Sequence, residues 1–331
     1  MSDEPLPGAP PFISAERVRE LLDPETCTEL MRHALRALAD GSARQLLRPV
    51  LPLDGRNVLG MMPAFDATAG AAGVKVLTVF PDNYEQGVPS HQGVILVFET
   101  GTGSLRAIVD AEAVTGLRTA AASAAATDVL ARPDASRLAL LGAGLQAREH
   151  LHALARQRPL EHVSVWDLHP ERARQFVGEM QEQYPFPIEA AAEAGGAARG
   201  AHIICTVTPA QTPILSAADV EPGTHINAVG ACTADTRELS GDLMAAGRVF
   251  ADWKPATLKE AGDYLLAVSE GAIPEDHLIG EVGSVIAGTL PGRTAPDEIT
   301  IFEALGQAVQ DLLTASHVTD AHLGASMKAA A

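Results

Sequence analysis

The sequence predicts an α/β protein of two domains, one a doubly wound parallel sheet and the other an α+β domain with a largely antiparallel sheet. Three observations carry this expectation. A chain of 331 residues with 47% hydrophobic content can bury a large core and, at that length, divides into about two domains. Between residues 46 and 110, strand-like runs follow one another with turn signals such as "DGR" and "TGTGS" between them. From Arg137 the rhythm becomes strand, glycine turn, helix, strand, the alternation of a parallel sheet covered on both faces. The expected domains are residues 1–118 with 302–331, and residues 119–301.

Taken in order, Asp23 and Pro24 read as an N-cap and a first-turn proline. Cys27, Leu30, Met31, Ala34 and Leu38 follow at helical spacing, and Gly41 ends the element. The runs "LLRPVLP", "NVLGMMPAF", "GVKVLTVF", "GVILVFE" and "LRAIVD" supply the antiparallel sheet, and the alanine-rich "AEAVTGLRTAAASAAATDVLA" is a closely packed helix leading out of it. The second domain continues through "RLALL", "HVSVWD", a helix near Pro170, "HIICTVT", "THINAVG" and "RVFADW". "EAGGAARG" reads as a surface connection, and the closing "DEITIFEALGQAVQDLLTASHV" as one amphipathic helix.

Charge and cysteine content narrow the function. Forty-two acidic against twenty-four basic residues give a formal charge of -18, which repels phosphate backbones and anionic lipid, so neither nucleic acid nor membrane is an expected partner. A small anionic substrate stays compatible, because a few local cations can set the potential of a cleft. The start "MSDEPLPGAPPF" has no basic or apolar leader region and no long apolar run follows, which predicts a soluble, cytoplasmic protein. Cys27, Cys205 and Cys232 are odd in number and widely spaced, so reduced thiols are expected, the first two in the core. There is no HExxH, and His150 and His152 point different ways on a helix, so no metal site is expected.

Gly142, Gly144 and Ala147 form G-x-G-x-x-A between a strand and a helix. The first glycine permits a tight turn, the second lets the backbone approach a pyrophosphate, and the small third residue lets helix pack on strand. This marks a Rossmann-type nucleotide fold, with Leu145 and Gln146 at the helix start where amides hold phosphates. Asp167 ends "VSVWD", where a carboxylate accepts from an adenosine ribose 2'-hydroxyl and repels a 2'-phosphate, so NAD(H) is expected over NADP(H). Thr206, Val207 and Thr208 end a later strand at the crevice and join the expected cofactor residues, as does Thr119.

Three cations interrupt apolar runs: Arg48 in "LLRPV", Lys75 in "GVKVL" and Arg118 in "GLRTAA". Desolvated charges are expensive without a partner, so these are either structural ion pairs or a clamp for an anion such as a carboxylate. The residues alone leave both open.

The segments "GVKVLTVFPDNYEQGVPSHQGVILVFE", "LRTAAASAAATDVLA", "LLGAGLQA", "TVTPAQTPIL" and "HINAVGACTADTREL" together resemble the ornithine cyclodeaminase and mu-crystallin family, from about Arg48 to the C-terminal helix. The resemblance implies a homodimer whose N-terminal sheet and C-terminal helix form a substrate and dimerisation domain. It implies that Arg48, Lys75 and Arg118 match the family's substrate-carboxylate positions, and that the chemistry is hydride transfer at the carbon bearing an amino acid's nitrogen. In ornithine cyclodeaminases the turn after "NAVG" carries an aspartate where this chain has Cys232, and the strand before "MP" carries a glutamate where it has Gly60. Both departures tell against cyclodeamination, and Cys232 reads as a pocket-shaping substitution. The pattern is closer to the mu-crystallin-like ketimine reductases.

The expected function is therefore NAD(H)-dependent reduction of a small, cyclic 2-imino acid. Lys75 would hold the carboxylate and relay a proton, and Asp235 would either bond the substrate nitrogen or cap the next helix. His91 in "PSHQG" is either a relay or structural. The alternatives are an alanine dehydrogenase using pyruvate and ammonia, an ornithine cyclodeaminase, and a non-catalytic binding protein.

Overall fold

The computed structural model describes residues 9–86 and 88–330; residues 1–8, part of the segment read for a leader, lie outside them. Two compact units emerge: Met1–Leu30, Gly41–Arg118 and Gln307–Ala331 in one, Met31–Asp40 and Thr119–Gly306 in the other. The chain runs β1 (Phe12–Ile13), α1 (Ala15–Leu21), α2 (Pro24–Asp40), β2 (Ala43–Gln45), β3 (Val50–Pro52), β4 (Val58–Asp66), β5 (Ala71–Val79), β6 (His91–Glu99), β7 (Leu105–Asp110) and α3 (Ala111–Leu130). It continues β8 (Arg137–Leu141), α4 (Leu145–Gln157), β9 (His162–Trp166), α5 (Pro170–Gln181), β10 (Ile188–Ala190), α6 (Ala194–Ala198), β11 (Ile203–Thr206), β12 (His225–Ala228), α7 (Gly241–Ala246) and β13 (Gly247–Ala251). The remainder is α8 (Lys254–Glu260), α9 (Gly262–Ser269), β14 (Gly280–Glu281), α10 (Val282–Ile286), β15 (Ile299–Glu303) and α11 (Ala308–Ala330).

The first unit is a seven-stranded sheet in the order β1-β7-β6-β5-β4-β2, with β3 also on β4; every pairing is antiparallel except β1 on β7. Strand periodicity separates its faces. Met62, Lys75, Ile95 and Val109 are cross-strand partners on the buried face, which α11 covers; there Leu312 presses on Gly73. The opposite face carries Met61, Val76 and Val94 in one row and Pro63, Val74, Leu96 and Ile108 in the next. Its residues are half-buried, apart from Met61 at 47% exposure, and Leu51 on β3 is 58% exposed. Among the described residues, this apolar sheet face is thus left without full cover.

The second unit is an eight-stranded, wholly parallel sheet in the order β10-β9-β8-β11-β12-β15-β13-β14. Alternate residues feed cores on its two faces. Leu138, Leu140, Val163 and Val165 pack with Phe176, while Ala139, Leu141, Ile226 and Ile301 pack with Tyr264. Such burial on both faces is what a doubly wound sheet requires.

Two expected elements differ. "ITIFE" is not the start of the last helix but the strand β15, inserted between β12 and β13, so residues 302–306 stay with the parallel sheet. Its β-branched residues suit a strand buried on both faces. "EAGGAARG" is not a bare connection either, because α6 buries Ala194, Ala197 and Ala198. Among the described residues no helix is long and apolar enough to cross a membrane, and no group of three or more histidine, cysteine or acidic residues could hold a metal ion. Cys27 and Cys205 are buried, and burial pushes the Cys205 thiol up to about 12.

Candidate active site

In the parallel sheet the chain leaves β8 for β9 and β10 on one side and for β11 and β12 on the other. This reversal places Leu141 directly opposite Thr206 at the carboxyl ends of adjacent strands. Open α/β sheets bind ligands at such a switch point. Gly142 turns the chain there at φ 109°, a region that favours glycine, and a Cβ on it would sit 2.8 Å from the Val207 carbonyl oxygen. Gly144 N-caps α4 without a side-chain cap, and a Cβ built on it meets nothing within 4 Å. The helix start therefore presents uncapped amides, those of Leu145 and Gln146 among them, beside open space. Ala147 is fully buried, where a larger side chain would push α4 off the sheet.

Asp167 follows β9 and accepts from the amides of Ala143 at 3.0 Å and His169 at 2.9 Å. It fastens the glycine turn as well as presenting a carboxylate beside it, a structural duty that its spacing alone did not reveal. These residues fit the pyrophosphate and ribose of a dinucleotide. Thr206 is fully buried; Thr208 donates its amide at 2.6 Å and its hydroxyl at 2.7 Å to one oxygen of Glu238, and the Gly230 amide donates to the other at 2.8 Å. Glu238 thus ties together the loops after β11 and β12. Asp263 supports it in turn, accepting from the Glu238 and Leu239 amides at 2.8 Å each. Thr119 is buried on α3.

Asp235 is exposed, and its carboxylate accepts from the Thr233 hydroxyl at 2.8 Å. The capping role is not seen, because α7 begins at Gly241 with Ser240 as its N-cap. Cys232 is half-buried on the same loop, against the core that includes Tyr264.

The cations of the first unit are held by a residue the sequence reading passed over. Lys75 on β5 is 4% exposed and Arg118 on α3 is 5% exposed. Both donate to Asp311 of α11, Lys75 at 3.3 Å and Arg118 through Nε at 2.9 Å. Lys75 also donates to the Thr115 hydroxyl at 2.6 Å, and Arg118 to the Gln310 side-chain oxygen at 3.0 Å. Burial pushes Lys75 down to about 8; Asp311 opposes that shift, and the charges of Arg118 and Arg48 reinforce it. Burial would raise Asp311, but Arg118 and Lys75 outweigh it and hold the carboxyl below its usual range. Among the described residues two cations share this one carboxylate, so one positive charge of the pair is left over, and the charge of Arg48 also reaches Lys75. Arg48 itself is half-buried just before β3.

His91 begins β6, exposed at the surface. Desolvation on its inner side, then the charges of Lys75 and Arg48, push its imidazole down. Gly60 is buried, and a Cβ there would lie in van der Waals contact with Leu77 at 3.4 Å.

A glycine turn at a sheet switch point and a buried cation pair sharing one acid define a dinucleotide-binding α/β protein with a candidate anion site. The chain belongs to the ornithine cyclodeaminase/mu-crystallin family, whose model matches residues 10–326. It is 37% identical over 319 residues to the ketimine reductase mu-crystallin of Mus musculus, covering 94% of this chain and 97% of that protein. Among solved structures it resembles the Δ1-pyrroline-2-carboxylate reductase of Thermococcus litoralis in complex with NADH and L-proline. That likeness has a TM-score of 0.92 at 31% identity and covers 95% of this chain and 98% of that one. An archaeal alanine dehydrogenase dimer with bound NAD gives a TM-score of 0.90 at 30% identity, over 95% and 96% of the two chains.

Proposed function

We propose that the protein is an NAD(H)-dependent reductase of a small, cyclic 2-imino acid. The observation that carries this reading is the buried set of Lys75, Arg118 and Asp311, which keeps a positive charge in a desolvated place. An imino acid brings the carboxylate that this charge calls for. Bound NADH would supply hydride to the carbon of the C=N bond. Arg118, Lys75 and Arg48 bind and orient the substrate carboxylate, and that positioning carries much of the rate. Lys75, pushed down to about 8, is matched to give its proton to the imine nitrogen near neutral pH. Asp235 and Cys232 line the same reading as substrate contacts, Asp235 through hydrogen bonding and Cys232 through shape.

Asp167 supports NAD(H) over NADP(H), because its carboxylate beside the glycine turn disfavours a 2'-phosphate. The uncovered sheet face around Met61, Val76 and Leu96 supports a homodimer, since an apolar face of that kind calls for a partner. The high negative charge supports a location in the cytoplasm away from anionic lipid. Reductive amination of pyruvate is the second reading, favoured by the likeness to the alanine dehydrogenase. Cyclodeamination is disfavoured by Gly60 and Cys232, and pure ligand binding by the retention of cations and glycine turn together.

The test is oxidation of NADH, with NADPH in parallel, on pyrroline-2-carboxylate, piperideine-2-carboxylate, and pyruvate with and without ammonia. Ammonia-independent turnover of a cyclic imine with NADH is expected. Turnover only with pyruvate and ammonia would replace the reading with the second one, and silence on every substrate would replace both with a binding protein.

A further inference from the structure

A buried ammonium beside two guanidinium groups does not hold a proton unaided. Arg118 lies on α3 and Arg48 precedes β3; both charges, like burial itself, favour the neutral amine of Lys75. His91 on β6 is a further titratable group coupled to it; its imidazole, pushed towards the neutral form, brings no counter-charge to hold the proton. Among the described residues, the one carboxylate in contact with Lys75 comes from the far end of the chain, where α11 brings Asp311 against β5. Its geometry is that of a bridge. Oδ1 receives both Arg118 Nε at 2.9 Å and Lys75 Nζ at 3.3 Å, and Oδ2 lies 3.4 Å from Lys75 Nζ. The Thr115 hydroxyl, which itself donates to the Ala111 carbonyl oxygen at 2.5 Å, accepts a second Lys75 proton. Thr115 and the two oxygens of Asp311 thus fix the ammonium of Lys75 in place. Gln310 does for Arg118 what Thr115 does for Lys75: its side-chain oxygen takes Nη1 while the Gln307 amide pins that oxygen at 3.2 Å.

We infer that Asp311 is the positioning residue of the clamp, which keeps Lys75 protonated and aims it and Arg118 so that Lys75 can protonate the imine nitrogen. This rests on the reductase reading for its chemistry. The reaction balances with the proton moving from Lys75 to the substrate nitrogen and the hydride from NADH to the adjacent carbon. A solvent proton then restores the ammonium, which the Asp311 carboxylate stabilises. Asp311 does not itself touch the substrate; it acts through the two cations. A scaffold that merely filled space beside α11 would contribute nothing to the charge state of Lys75.

The experiment compares wild type, Asp311→Asn and Asp311→Glu by kcat/KM for imine reduction against pH, and by NMR titration of 13C-labelled lysine, with the Lys75 signal assigned through Lys75→Arg. The neutral variant is expected to move both the alkaline limb and the Lys75 titration at least one pH unit lower. KM should stay within a few-fold, because the cations remain to meet the carboxylate. Asp311→Glu should restore the limb while lowering kcat, since charge is kept and aim is lost. An unmoved limb and unmoved titration in Asp311→Asn would overturn the inference whatever happened to KM. If no imine is reduced by wild type, the reductase reading fails alone, and the Lys75 titration still decides whether Asp311 governs its charge. If Asp311→Asn does not fold, Asp311→Glu decides: a limb kept with kcat lowered supports the inference, and a kcat equal to wild type overturns it.

Discussion

Replacing Asp263 by asparagine should stabilise the protein at alkaline pH. Asp263 is fully buried on α9, and one oxygen accepts the Glu238 and Leu239 amides while Oδ2 has no hydrogen-bond partner among the described residues. Burial first, then the negative charge of Glu238, pushes its carboxyl from 3.8 up to about 7. Because the folded value lies above the unfolded one, the acid's contribution is fully present below about pH 4. It is lost as pH rises towards about 7 and is flat above that. The difference is about 3 pH units, worth at most about 4 kcal/mol at 1.36 kcal/mol per unit. Glu238 and Glu303, both raised by burial, share the strain, so a gain of about 2 kcal/mol from removing one charge is the realistic scale. Asparagine keeps an oxygen for both amides and removes the negative charge that burial and Glu238 disfavour. Calorimetric unfolding of wild type and Asp263→Asn at pH 5 and pH 8 checks this; the variant's advantage should be large at pH 8 and small at pH 5. A variant equally destabilised at both values would mean that the Asp263 carboxylate is paired in the folded protein and refute the proposed stabilisation.

Three further outcomes follow from the site. Lys75→Met should lower turnover by about 100-fold or more, the usual share of a general acid, while NADH binding measured by fluorescence stays as in wild type. Asp167→Asn should weaken NADH and favour NADPH, changing the ratio of their dissociation constants by about tenfold, equivalent to about 1.4 kcal/mol. Met61→Glu puts a charge in the middle of the uncovered sheet face and should convert a dimer to a monomer in light scattering; a variant that remains dimeric would place the interface elsewhere.

The antiparallel sheet was legible because its strands alternate and turn residues punctuate them, and the glycine turn because a strand, a helix and a spaced acid agree on it. β15 was not, since "ITIFE" is a short apolar run and periodicity cannot separate a buried strand from the opening of a helix. Alanine and glycine made α6 look like a linker, although small residues are what let it pack flat on the sheet. Arg48, Lys75 and Arg118 stood out as charges within apolar runs. The same signal was present for Asp311 in "AVQDLL", but one acid in an amphipathic helix reads as its polar face until the first two turns of that helix are seen to be buried all round. Glu238 and Asp263 were hidden for another reason: what they bind is backbone, which leaves no trace in residue type.

The two units bury charge in opposite ways, and the contrast bears on function. In the second unit Glu238, Asp263 and Glu303 are all raised by burial; Glu238 and Asp263 serve as acceptors that shape loops. In the first unit the acid is held below its usual range, and the surrounding cations outnumber it. A set of structural ion pairs would be expected to balance, since each unpaired buried charge costs free energy. This one is left positive in a chain whose formal charge is -18, so the imbalance is local and not a reflection of composition. An anion that arrives to complete it recovers the cost, and a carboxylate is the anion an imino acid carries. The same logic accounts for Gly60 and Cys232: with a glycine at one position and a thiol at the other, neither offers a carboxylate to a second amino group, which a cyclic imine does not have.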